Sequence, residues 1–150
     1  MTDASARQDI LDEIAASVDD LAFALASVGE AYDRLEENTA DRLEEALFGP
    51  LQRAYGRAQR THNEFAARVK LPERRFAPGH AGVASHGAAG PVNDAVEAVQ
   101  RADERLAELQ DSMAPIEFGD QQLRADLAEV RQILDQVPTR AREFLRTLGR

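Results

Sequence analysis

Apolar side chains recur at alternating three- and four-residue steps through four separate segments of this chain. The first series runs from Leu11 through Ile14, Val18, Leu21, Leu25 and Val28 to Tyr32 and Leu35. The second runs from Phe48 to Val69, the third from Val92 to Met113, and the fourth from Leu123 to Leu148. Of the 30 positions in these series, 29 are apolar and His62 is the exception. Residues at i, i+3, i+4 and i+7 share one helix face, so each segment carries a stripe that must be buried. The fold class this dictates is all-α: a four-helix bundle of two helical hairpins.

Helix boundaries follow from caps and breakers. The first helix is expected over about residues 5–37. The second is expected over 40–70 with a kink at Pro50, because proline lacks the amide and disfavours helix in its predecessor. A turn at Asn38-Thr39 gives two helices of similar length, and a turn at Gly49-Pro50 is the alternative. The third helix is expected over 91–113 and the fourth over 120–148, kinked at Pro138. Ile116 and Phe118 are expected to plug the end between them. Residues 71–90 hold four Gly and two Pro, so they read as a long Gly/Ala/Pro-rich crossover, mobile and open to proteolysis. With 150 residues and no repeat, the whole chain reads as a single domain.

Composition narrows the chemistry. Cysteine is absent, which excludes thiolate catalysis and disulfides. The N-terminal residues show no basic-then-apolar secretory pattern, and no apolar run approaches the roughly 20 residues of a membrane span. A soluble, cytoplasmic protein is expected. No Glu precedes a His by three residues, so the Glu-x-x-His pair of di-metal bundles is missing. Phosphate-binding glycine loops and a Gly-x-Ser-x-Gly elbow are missing too. No catalytic residue, cofactor or metal is therefore assigned. His80 and His86 read as linker side chains. His62 reads as a polar seam position, satisfied by a neighbour such as Tyr32 or an acidic residue of the first helix.

Charge is partitioned. Residues 1–47 carry 13 acidic and 3 basic side chains, whereas residues 48–75 carry 2 acidic and 7 basic ones. Alternating blocks of this kind suit pairing between neighbouring helices. Arg53, Arg57 and Arg60 share one side of the second helix and form a candidate surface for phosphate or nucleic acid. The net charge of −9 and the lack of stacking aromatics there argue against nucleic acid. Ile10 and Phe23 lie beside the seam of the first helix and mark a candidate interface for a homodimer or protein partner. The linker folded back would cover the same residues.

Tyr32-Asp33-Arg34-Leu35-Glu36 is similar to the loose Tyr-x-x-x-Asp/Glu element of secretion substrates built on helical hairpins. That group's Trp-x-Gly turn is absent, since the chain has no Trp. Tyr32 therefore reads as a core residue. Leu25 is likewise expected to be fully buried, with Leu25→Ala costing roughly 2–5 kcal/mol. The functional expectation is a non-enzymatic interaction module, an adaptor or assembly subunit. A small-ligand or metal-binding bundle is the alternative, separated from the first by whether carboxylates line the interior.

Overall fold

The computed structural model describes residues 2–82 and 87–148, and every regular element among them is helical. Helix α1 spans Asp3–Tyr32, α2 spans Glu37–Leu43 and a π-helical turn spans Glu44–Phe48. Helix α3 follows at Gly49–Arg68, α4 at Ala89–Asp111 and the short α5 at Ala114–Glu117. Helices α6 and α7 span Gln121–Leu134 and Val137–Leu148.

The first turn lies at residues 33–36, ahead of Asn38-Thr39. The Glu36 carboxylate accepts hydrogen bonds from the Thr39 amide at 3.0 Å and its hydroxyl at 2.6 Å, so it is the cap. These bonds, the hydroxyl's first, hold the Glu36 carboxyl below its usual range. The two prolines are accommodated differently. Pro50 cannot donate to the Ala46 carbonyl, and the chain answers with the wider π turn, in which the Gly49 amide reaches back to the Glu44 carbonyl. Pro138 instead divides the last helix: α6 stops at Leu134, whose carbonyl the proline cannot bond, and α7 restarts at Val137. At the other end Phe118 packs partly against the core, as the expected plug would, but Ile116 and the seam residue Met113 do not. Ile116 is 57% exposed and Met113 56%, whereas Pro115 is buried between them.

Helix α1 packs most extensively against α4 and also against α3, while α6 lies against α3 and α4. Hydrogen bonds fix the directions. Arg7 donates to the Phe118 carbonyl at 2.9 Å and Arg34 to the Gly87 carbonyl at 3.0 Å, so α1 and α4 run antiparallel. Arg57 pairs with Glu129, and Arg68 with Asp120 at 2.7 Å, so α3 and α6 are antiparallel as well. Small side chains let α1 and α4 approach: Ser17, Ala24 and Ala31 on one, Ala95, Ala98 and Ala102 on the other, all buried. The Ser17 hydroxyl donates to the Glu13 carbonyl at 3.1 Å and lies 3.5 Å from the Ala102 carbonyl.

The segment after α3, expected as a mobile linker, touches the bundle at several points and forms a strap over it. Lys70 takes a left-handed conformation (φ 60°), and the Leu71 amide closes the helix on the Ala66 carbonyl at 2.9 Å. The Asn63 side chain then holds both backbone groups of Arg74, at 2.8 and 2.9 Å. Arg74 reaches Asp19 at 3.5 Å and lies over the Phe76 ring at 5.1 Å. Further on, Gly79 rests on the Ala22 peptide so closely that a Cβ would sit 2.4 Å from that carbonyl. Glycine is required there by space. The expected mobility of residues 83–86, His86 among them, lies outside the described residues.

Candidate functional site

The surplus apolar residues of α1 are placed differently from one another. Ile10 is 1% exposed and belongs to the core, so it offers no open surface. Phe23 is half-buried, with Gly82 of the strap and the Arg101 guanidinium (5.9 Å) beside its ring. Of the flank expected to meet a partner, Ile10 is thus buried within the chain, whereas Phe23 is covered only in part.

The arginines divide likewise. Arg57 is bound to Glu129, whereas Arg53 and Arg60 point outward with no carboxylate partner among the described residues. Arg101 and Arg105 both engage Asp20, at 3.6 and 3.0 Å, and Arg131 joins Asp103 at 2.9 Å. Arg57, Arg68, Arg74, Arg101, Arg105 and Arg131 thus staple neighbouring elements. Asp120 combines two tasks, capping α6 through the Leu123 amide at 2.7 Å and gripping Arg68. The Arg68 hydrogen bond, with the amide's behind it, holds the Asp120 carboxyl below its usual range.

His62 is 3% exposed. Its neighbour is Asn63, not Tyr32 or an acid. The Asn63 oxygen is identified by the Arg74 amide it accepts from, so the His62 Nδ1–H must be the donor at 2.7 Å. Phe76 of the strap meets the imidazole edge-on at 5.2 Å. Burial pushes the His62 pKa below its ordinary value, partly opposed by the Asn63 bond; Arg74 adds to the lowering, while Asp12 and Glu73 oppose it. A depressed imidazole pKa means that the unfolded chain takes up the proton first as pH falls through about 6.5. Stability should therefore drop between about pH 7 and pH 5, above the range where ordinary carboxylates titrate. Urea unfolding at the two pH values should show that loss in the parent and a smaller one in His62→Gln. Equal losses would remove His62 as the cause.

A cleft of about 580 Å³ opens at the C-terminal end of α1. Its walls are Tyr32 and Gly29 of α1, Glu44 and Phe48 from the two ends of the π turn, and Gly79 to Ala81 of the strap. Tyr32, placed in the core by its seam position, is 39% exposed here. Glu30 and Asp33 complete an acidic rim. Glu30 is held by Arg34 at 3.0 Å, whereas Asp33 and Glu44 have no ion-pair partner among the described residues. Sequence inspection missed this site because three distant segments build it. The one local signal was Gly29 inside a helix, which costs roughly 1 kcal/mol against alanine.

That glycine has no packing reason. A Cβ at Gly29 would meet nothing within 4 Å. Gly29→Ala should therefore raise stability by about 0.4–1 kcal/mol. Chemical denaturation checks this, and a loss would mean that the backbone needs glycine there.

Among the described residues no group of three or more His, Asp or Glu side chains could hold a metal ion, and no helix is long and apolar enough to cross a membrane. Comparison with protein-family models, curated proteins and solved structures gives no match.

Proposed function

We propose that the chain is a protein-interaction module: a four-helix bundle of two helical hairpins, joined by a strapped crossover, whose interior is structural and whose surface binds a protein partner. One observation carries the reading. The core is a continuous mass of Leu, Val, Ile and Ala with Phe65 and Phe144, and the buried polar residues among the described ones are Ser17, Ser27, Thr61, His62 and Asp126. Asp126 accepts from Gln122 at 2.8 Å, and Thr61 donates to the Arg57 carbonyl at 2.8 Å. Ser17, Thr61 and Asp126 are each satisfied by a partner four residues away on their own helix, whereas a ligand-binding interior would present polar groups free to meet a ligand. The surface, by contrast, offers a wide cleft with exposed aromatic and unpaired acidic side chains.

A thermal-shift panel of divalent metals, nucleotides and common organic cofactors tests the reading against an internal ligand site. The expected result is an unchanged melting temperature throughout, alongside a defined complex with a purified protein partner. A small molecule that raises the melting temperature and contacts core residues would overturn it.

A further inference from the structure

We infer that the cleft beside Gly29 seats an arginine or lysine side chain carried by an exposed segment of a partner protein, an inference that rests on the interaction-module reading. Charge comes first. Asp33 and Glu44 stand on the rim unpaired, while Glu30 is already engaged by Arg34. The cleft lining holds three carboxylates, Glu30, Asp33 and Glu44, and no arginine or lysine. Such a field draws in a cation and repels phosphate.

Shape agrees with charge. The π turn sets Glu44 and Phe48 on one wall, and Tyr32 stands on another with over a third of its surface open. A carboxylate beside aromatic rings fits a side chain that has an apolar stem and a cationic head. Gly29 is the independent observation. Alanine would suit the helix better and would touch nothing, yet the position has no side chain, which keeps the cleft deep.

Other occupants fit less well. A bare metal ion lacks a set of converging ligands among the described residues. A second copy could offer Arg53 or Arg60, but two chains of net charge −9 repel each other. The two other large clefts are less one-sided. One, of about 380 Å³, sets Arg42 and Arg140 against Glu45 and Glu143, and one, of about 460 Å³, is walled by Arg74 and Arg75 beside Glu73.

Fluorescence anisotropy of the full chain with a labelled Arg-Ala-Leu repeat peptide, and with its Glu-Ala-Leu counterpart, tests the inference. The basic peptide should bind saturably, more weakly as salt rises, and the acidic one should not bind. Gly29→Leu fills the cleft, and the double variant Asp33→Asn with Glu44→Gln neutralises exposed rim positions without touching the core. Each should weaken binding at least about tenfold, or roughly 1.4 kcal/mol, while Arg53→Ser leaves it unchanged. The charge variants keep the test decisive should Gly29→Leu disturb the fold. Equal binding by parent and cleft variants, loss of binding in Arg53→Ser, no binding of the basic peptide, or a dimer abolished by Gly29→Leu would each overturn the inference. Binding of the basic peptide at another face overturns this site alone, whereas a small molecule seated in the core overturns the module reading beneath it.

Discussion

Phe65→Ala is expected to lower stability by about 3–5 kcal/mol, the largest effect of any single truncation in this chain. Phe65 is 0% exposed and heads the fully buried side chains by volume. It belongs to a core cluster of aliphatic side chains carried on helix backbones, whose positions are set. They cannot close over the cavity that a lost ring leaves. The ring also lies under the Arg68 guanidinium at 5.7 Å, the group that grips the cap of α6. Urea unfolding gives the difference directly. A cost below about 1 kcal/mol, the ordinary size of a point-mutant effect, would mean that α3 does not centre the core.

Leu21→Ala should cost about 2–5 kcal/mol, and Leu25→Ala markedly less, although both belong to the first seam. Leu21 is 0% exposed, whereas Leu25 is only partly buried. The reason is helical geometry. A straight helix drifts by about 20° per heptad against a seven-residue repeat. Leu11 and Val18 are 0% exposed, Leu25 is half-covered, and Tyr32 reaches 39%. The neighbouring series Ile10, Ser17, Ala24 and Ala31 stays at or below 1% throughout. Equal costs for the two leucines would place the seam where the heptad puts it and contradict this packing.

That drift explains much of what could and could not be read from the sequence. The four amphipathic segments were legible because periodicity is local. The stapling of acidic to basic blocks was legible only in part: Arg74 of the basic block reaches Asp19 of the acidic one, whereas Arg57 and Arg68 pair with Glu129 and Asp120 of the C-terminal segment. Tyr32 was misplaced because the regular spacing continues through it while the helix turns it outward. The strap was illegible for another reason. It depends on Asn63 finding the Arg74 backbone and on Gly79 meeting Ala22, contacts across 11 and 57 residues that no pattern announces. The cleft inherits both difficulties, together with a π turn that Pro50 imposes on the residues before it.

Placing the binding surface on the cleft also assigns a role to the strap. Residues 79–81 form one wall, held in place by contacts that begin at Asn63 and His62. Loss of those contacts should loosen the wall before it loosens the core, because local openings follow local contact density.

Hydrogen–deuterium exchange of the full chain, free and with the Arg-Ala-Leu repeat peptide at saturation, tests the central claim most directly. The prediction is slowed exchange confined to residues 26–33, 44–49 and 79–82, with the amides around Leu21, Leu51 and Leu127 unchanged. Slowing centred on the core amides, or on the exposed side of α3 around Arg53 and Arg60, would contradict it.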